Sequence, residues 1–543
     1  VSVAIISFKK EEIAKFLGKK VSEHELIDNL PLLGMPVEEM KDGEIFVDVT
    51  PNRPDLLSVE GIGRALASFL EVKTGLREYN AKFSGISLFV DKSVKKVRPC
   101  IAGALVKNVE INDEFVRSII QLQEKLHETF GRKRRKLAIG IHDFAQLSPP
   151  FYYKAVGPKS IKFTPLDMTE ELTPAEILQK HPKGREYGSI LKGAEKYPII
   201  FDSKNNVLSM PPIINGELTR VTEKTNELFL DLTGTDEYTV MDALKIIATA
   251  LVDREGEIFS IKVIDEKVFI SPDLKAREMV VDAEDVNKLL GANFSQKEMR
   301  RLLGRMGHEV KINKKLDVRV PCYRTDIIHW VDIAEDVAIA YDYNKFQPTL
   351  PNFFTIGMEK PIEILGEKIR EIMVGLGFEE VLAWYLTNEK TNFQKMLIPQ
   401  TPHVVIKNPL TENSTMMRTW LTPSLLSILS ENRHVQMPIK IFELGDAAVL
   451  DGNKAKEVRK LCCVVQDSQA AFSDMRSVVE SILFELDWGY KIREIEHSSF
   501  IKGRAVEVIR DGKRKGIFGE IHPGVLNNFN LEHPVTACEL EIL

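Results

Sequence analysis

The sequence predicts a multidomain α+β protein. Three observations carry that expectation: a segment near the N-terminus recurs around residue 284, the residues between the copies mix strand-like with helical runs, and 44% of the 543 residues are hydrophobic. At about 100–200 residues per domain, a chain of this length holds roughly three to five units, each able to bury a core.

The recurrence defines the first and third units. EEIAKFLGKKVSEHELIDNLPLLG begins at Glu11, and EDVNKLLGANFSQKEMRRLLGRMG begins at Glu284, 273 residues later. In both, apolar residues stand at helical spacing (Ile13, Phe16, Leu17; Val286, Leu289, Leu290), and a glycine follows, Gly18 or Gly291, where a helix end favours left-handed geometry. Ser22 with Glu25, and Ser295 with Glu298, give the capping-box spacing for a second helix. That helix buries Leu26, Leu30 and Leu33, or Met299, Leu303 and Met306, and stops at Gly34 or Gly307. EIFVDVTPNRPDLLSVEGIGRALA then aligns with KLDVRVPCYRTDIIHWVDIAEDVA if one residue is inserted. Each copy therefore reads as helix, helix, strand, proline-containing loop, helix. Two distant copies make a duplication, since a solenoid needs at least about three adjacent units.

The spacer holds strand-like YYKAVG, YPIIF and NELFLDLTG beside helical EFVRSIIQLQEKLHETF and VMDALKIIATALVDR. After the second copy, PTLPNF is a proline-punctuated linker, and the remainder alternates helix and strand, with IEILGEKIREIMVGLGF the clearest helix. The predicted divisions are 1–85, 86–272, 273–350 and 351–543.

Composition excludes some classes. With 73 basic and 79 acidic residues, net charge −6, bulk charge gives no argument for nucleic-acid binding, so any such contact must be regional. The five cysteines are scattered without a CxxC pair, which argues for a reducing compartment and against structural zinc. No stretch approaches the roughly 18 apolar residues of a membrane span, and VSVAIISFKKEE meets its charges too early for a signal peptide. A soluble, intracellular protein without a membrane partner is expected.

Asp332, Glu335 and Asp336 fall on one helical face, with Asp326 in the loop before them. Carboxylate oxygens are hard ligands suited to magnesium, and without a cation the like charges repel. The same spacing also suits an ordinary amphipathic helix whose acids face water, with Ala334, Val337, Ala338 and Tyr341 as its apolar stripe. The first copy keeps Asp55 and Glu60 but has Gly63 and Arg64 in place of Glu335 and Asp336, so only the second copy would bind metal.

YRTDIIHWVDIAEDVAIAYDYN resembles the magnesium-linked segment of the phenylalanyl-tRNA synthetase β subunit, archaeal and eukaryotic cytosolic type, and NRPDLLSVEGIGRALA is similar to that family's first domain. The resemblance implies Mg2+ as cofactor, with Asp326, Asp332, Glu335 and Asp336 as its ligands. LSMPPIINGELTRVTEKTNELFLDLTGTDEYTVMDAL is similar to the family's editing domain, which hydrolyses tyrosine wrongly esterified to the phenylalanine tRNA. The resemblance implies a pocket of Asn215, Glu217, Asp231, Thr233 and Ser209. Buried polar groups there would demand the tyrosine hydroxyl and reject phenylalanine, which leaves them unpaired. Without the family, DLTGTD is a strand and turn whose Asp and Thr cap backbone. No Cys–His or Ser–His–Asp spacing is present, so hydrolysis is expected to use a positioned water. His142 beside Asp143 is given no catalytic role, and the basic run Arg132 to Lys136 suits a phosphate backbone, an acidic partner or simply solvent.

The last region, through NPLTENSTMMRTWLTPSLL and KIFELGDAAVL, resembles a degenerate class II synthetase-like antiparallel sheet domain. Class II sites hold ATP phosphate with an arginine two residues before the second motif's glutamate, and here Ile441 precedes Glu443. GIFGEIHPGVLNNFNLEHPV supplies no glycine-rich segment ending in arginine. No catalytic residue for aminoacylation is therefore expected. The resemblance implies a cytoplasmic phenylalanine–tRNA ligase complex in which a separate α subunit carries that site, an α2β2 heterotetramer acting on tRNA(Phe). It also implies no inserted OB-type domain and no C-terminal anticodon-binding extension. A free-standing magnesium-dependent hydrolase, and a tRNA-binding scaffold without editing, are the competing readings.

Overall fold

The computed structural model describes residues 4–353 and 355–542. Val1 to Val3 and Leu543, assigned above to the first and last divisions, lie outside the described residues, as does Phe354, also in the last division. The chain forms two compact units, Val1–Thr349 and Leu350–Leu543, a mixed α+β architecture with several sheets. Among the described residues no helix is long and apolar enough to cross a membrane.

The first unit opens with β1 (Ala4–Lys9), α1 (Lys10–Leu17), α2 (Glu23–Asn29), β2 (Val37–Lys41), β3 (Glu44–Val49) and α3 (Val59–Phe69). Its later counterpart spans residues 277–341. Each copy holds a three-stranded antiparallel sheet, so the expected single strand is joined by a strand before the first helix and another after the second. Gly18 and Gly291 adopt φ 72° and 63°, the left-handed ends that stop the first helix of each copy. Ser22 and Ser295 accept from the Glu25 and Glu298 amides, while the Glu25 carboxylate turns to Lys19 Nζ at 2.7 Å instead of closing the box. Leu289, expected in the core, is 51% exposed, because Val286 alone of its helical stripe is fully buried.

The middle of the unit runs through β4 (Lys82–Val90), β5 (Cys100–Lys107), α4 (Asp113–Glu128), β6 (Leu137–Asp143), β7 (Phe151–Val156), α5 (Pro174–Lys180) and α6 (Pro182–Tyr187). It continues with β8 (Tyr197–Phe201), β9 (Val207–Met210), β10 (Ile214–Asn215), β11 (Glu227–Gly234), α7 (Glu237–Asp253), β12 (Glu257–Ile264) and β13 (Val268–Ser271). These strands make one ten-stranded sheet, order β10-β9-β8-β7-β4-β12-β5-β11-β6 with β13 on β12. Strand periodicity sorts β11: Leu228, Leu230 and Leu232 enter a core with α4 and α7, whereas Phe229 joins Phe151 and Tyr153 in another. Asp231 and Thr233 share the Phe229 side by the same alternation.

The second copy comprises β14 (Arg277–Val281), α8 (Ala283–Leu290), α9 (Gln296–Arg305), β15 (Glu309–Ile312), β16 (Leu316–Val320) and α10 (Trp330–Tyr341).

The second unit contains α11 (Pro361–Gly375), β17 (Glu379–Glu380), β18 (Leu386–Thr387), β19 (Met416–Met417), α12 (Thr422–Glu431), β20 (Ile439–Asp451), β21 (Lys454–Gln466), α13 (Phe472–Glu485), β22 (Lys491–Glu494), β23 (Phe500–Arg510), β24 (Lys513–Ile521), α14 (Pro523–Asn528) and β25 (Val535–Glu541). Its seven-stranded sheet, β17-β20-β21-β25-β24-β23-β22, is antiparallel except where β17 meets β20. Alternate residues go to opposite cores: Ile441 and Cys462 pack under α12 and α14, Phe442 and Cys463 under α11 and α13.

Candidate functional site

A cavity of about 530 Å³ opens beside the edge strand β6, between α4 and the segment that carries β9 and β10. Its walls are largely apolar, with Ile119, Ile139 and Pro212, and its polar side chains include Ser209, Asn215 and Asp231. That composition and size suit a small organic group.

Three of the five residues expected in a pocket thus line one cavity, and the other two support it. Asn215 donates from Nδ2 to Ile141 O at 3.3 Å, fixing β10 against β6. Glu217 lies on the rim, where its carboxylate accepts from Arg220 Nε and Nη2 at 2.7 and 2.9 Å and from the Asp167 amide at 3.0 Å. Arg220 lines the cavity, so Glu217 holds a wall, and that hydrogen bond keeps its carboxyl below the usual range. Thr233 is fully buried beneath, where its Oγ1 and carbonyl accept from Arg98 Nε and Nη2 at 2.9 and 2.7 Å. Burial pulls that Arg98 guanidinium down to about 10.

Asp231 is only 2% exposed, and its Oδ2 accepts from Ser209 Oγ at 3.2 Å and lies 2.6 Å from His142 Nε2. The sequence gives His142 beside Asp143 no catalytic role. Asp143 accepts from the Ala145 amide and from Thr225 Oγ1, while His142 reaches across to Asp231 on β11. The basic run is partly spent on structure: Arg132, Lys133 and Arg134 all have positive φ, and Arg134 donates to Ile213 O at 2.9 Å while lying 4.4 Å over the Tyr187 ring. Lys133 and Arg135 stay exposed.

The acid cluster is built around Arg324. Its Nη2 donates to Asp326 Oδ2 at 2.7 Å and to Asp336 Oδ1 at 3.0 Å, and His308 Nε2 lies 2.6 Å from Asp336 Oδ2. Against the upward push of burial, Arg324 and His308 hold the Asp336 carboxyl well below the usual carboxylate range. Arg324 and His308 therefore meet part of the repulsion expected of bare like charges inside the chain. Asp332 caps α10, its Oδ2 accepting from the Ile328 and His329 amides, both at 2.7 Å. Glu335 has no partner among the described residues, and burial followed by the charges of Asp336, Asp332 and Asp326 raises its carboxyl.

Among the described residues no three His, Cys, Asp or Glu side chains are grouped so as to enclose a metal ion. A closed cage is thus a poor fit, but a hydrated magnesium, which takes one or two carboxylates and keeps several waters, fits the oxygens left over on Asp332 and Glu335. In the first copy Arg53 pairs with Asp55 at 2.8 and 2.9 Å as Arg324 does with Asp326. There Arg64, standing where Asp336 would, donates to Tyr79 Oη and Asp253 Oδ2 at 3.1 and 2.6 Å.

The family described as phenylalanyl tRNA synthetase beta chain CLM domain matches residues 347–542, and the tRNA synthetase B5 domain matches 279–343. The phenylalanine–tRNA ligase beta subunit of Methanocaldococcus jannaschii is 44% identical over 547 residues, 99% of each chain. That of Archaeoglobus fulgidus is 42% identical over 543 residues, 99% of this chain and 98% of that one. A crystal structure of an N-terminal fragment of the phenylalanyl-tRNA synthetase beta subunit from Pyrococcus horikoshii superposes with TM-score 0.60 at 39% identity, covering 62% of this chain and 99% of the fragment.

Proposed function

This chain belongs to the family of phenylalanine–tRNA ligase β subunits, and from that premise we propose that it edits mischarged tRNA in its central cavity, while its acid cluster binds magnesium. As a member of the family it is a component of an aminoacyl-tRNA synthetase, the ligase that joins phenylalanine to its tRNA. Its partners are an α subunit and tRNA, assembled as an α2β2 heterotetramer in the cytoplasm.

One observation carries the editing reading: a buried carboxylate, Asp231, forms part of the lining of an otherwise largely apolar cavity. A tyrosine side chain fills such a space and donates its phenol O–H to that carboxylate. Phenylalanine would leave that acid without the added donor, and an unmet buried acceptor costs about 1–3 kcal/mol. Clearance is then hydrolysis of the ester: water adds to the aminoacyl carbonyl carbon, the bond to the ribose oxygen breaks, and a proton passes to that oxygen. None of the five cysteines lines the cavity, and the Ser209 hydroxyl is committed to Asp231, so the water is the nucleophile.

Asp332 and Glu335 would hold the magnesium, with Asp326 and Asp336 as the anchored anions behind them. Bound there, the cation supplies charge neutralisation at the surface of α10. The residues 1–85 and 273–350 serve as paired outer domains, 86–272 as the editing domain, and 351–543 as the non-catalytic synthetase-like domain. The second unit departs from chemistry in a way that favours this: Ile441 points into an apolar core, and the Glu443 carboxylate is met internally by Arg418 Nη2 at 2.6 Å. Its surface is left to pack on the α subunit.

The deciding experiment mixes the chain with an α subunit and follows phenylalanine charging and tyrosyl-tRNA deacylation. Charging by the mixture alone, with clearance lost in Asp231→Ala and charging kept, is the expected result. Unchanged clearance in that variant removes the editing assignment. Charging by the isolated chain removes the division of labour between subunits.

A further inference from the structure

We propose that His142 is the positioning residue that sets the tyrosine preference of the cavity, acting through Asp231; the proposal rests on the editing reading above. On the antiparallel pair β6 and β11, Asp231 stands opposite Gly140 and Phe229 opposite His142. The acid and the ring are therefore diagonal neighbours on one face of the sheet, normally separated by the side chain between them. Residue 140 has none. A Cβ there would lie 2.4 Å from Asp231 Oδ2 and 2.7 Å from His142 Nε2, so the contact exists only because this position is glycine.

The far end of the ring is held as well. His142 Nδ1 lies 2.7 Å from Thr219 Oγ1, which also lies 3.1 Å from Gly216 O. His142, Thr219 and Asp231 are 0%, 1% and 2% exposed, so none of them can swing into solvent. With Oδ2 held by His142 and Ser209, the carboxylate is fixed in one orientation where Asp231 meets the cavity. A fixed acceptor distinguishes a phenol O–H from a ring C–H. A carboxylate free to turn can satisfy itself on other donors when phenylalanine is bound, and the distinction fades.

The test uses the complex with its α subunit and the ratio of kcat/KM for deacylation of tyrosyl- over phenylalanyl-tRNA. His142→Gln keeps an N–H donor within reach of Asp231, while His142→Asn can meet only Thr219. The Gln variant should retain the wild-type ratio, and the Asn variant should lower it by about tenfold, the loss falling on tyrosyl-tRNA. Equal ratios in the Asn variant and wild type, or a Gln variant no better than Asn, would overturn the proposal. Phenylalanine charging reports that each variant is folded and assembled. If His142→Asn fails there, Thr219→Val takes its place: a lowered ratio supports the proposal, an unchanged one ends it. Absence of tyrosyl clearance by the wild-type complex would instead fell the editing reading, and this proposal with it.

Discussion

Arg324 and Asp336 form a buried ion pair, Nη2 to Oδ1 at 3.0 Å, with each side chain no more than 3% exposed. Removing one partner leaves the other charge uncompensated in the interior, so Arg324→Ala should destabilise the first unit by about 3–5 kcal/mol. The Asp336 carboxyl is lowered in the folded chain, so its contribution is complete above its unfolded pKa of about 4 and is lost as pH falls below that. Thermal melts from pH 7 down to pH 3 should show a steeper loss for the wild type than for Asp336→Asn. Parallel curves would refute it.

Glu335 should behave in the opposite sense. Its carboxyl is raised, so in the charged form it opposes folding, and Glu335→Gln in the presence of a chelator should melt at or slightly above the wild type. With magnesium added, the wild type should gain stability by mass action and the variant should gain little. Equal gains in both would take the ion away from this cluster.

Thr233 and Asp231 lie two residues apart on one face of β11 yet should fail differently. Thr233 accepts from Arg98 below the cavity, so Thr233→Val should cost about 1–3 kcal/mol of stability and leave the tyrosine preference largely intact. Asp231→Asn should do the reverse, keeping stability while the preference collapses. Denaturant melts beside deacylation rates separate the two, and a lost preference in Thr233→Val would move that residue into the recognition surface.

Ile441→Arg would restore the arginine that class II sites place before their glutamate, but not its function. The side chain of residue 441 enters the core under α12 and α14, where an unpaired guanidinium is costly by several kcal/mol. The variant should express poorly or melt earlier, and ATP–pyrophosphate exchange should stay absent. Exchange activity in this variant would show the domain to be one substitution from catalysis.

Much of the fold was legible because its signals are local. Gly18 and Gly291 stop helices by their own φ, and Ser22 and Ser295 cap the next ones within three residues. The expected pocket was legible only in part. Ser209, Asn215 and Asp231 do line one cavity, but Glu217 and Thr233 act through Arg220 and Arg98, partners that no spacing announces. His142 was passed over because its neighbour in sequence, Asp143, was weighed instead of Asp231, which lies 89 residues away and meets it through strand register. The available signal was the run GIH on a strand, a glycine two before a histidine, where a missing side chain opens a diagonal. Arg324 has its own signal: the twin motifs NRPD and YRTD both place an arginine two residues before the aspartate.

The copies also differ in direction. One inherited position became Arg64, which ties the first copy to Asp253 at the end of α7, and elsewhere became Asp336, which answers Arg324 within its own copy. Duplicated modules begin interchangeable, but these two no longer are. A chain with the order of the copies reversed would set a carboxylate against Asp253 and take from that interface the guanidinium it is built around, so the order of the modules along the chain has itself become part of what the sequence must specify.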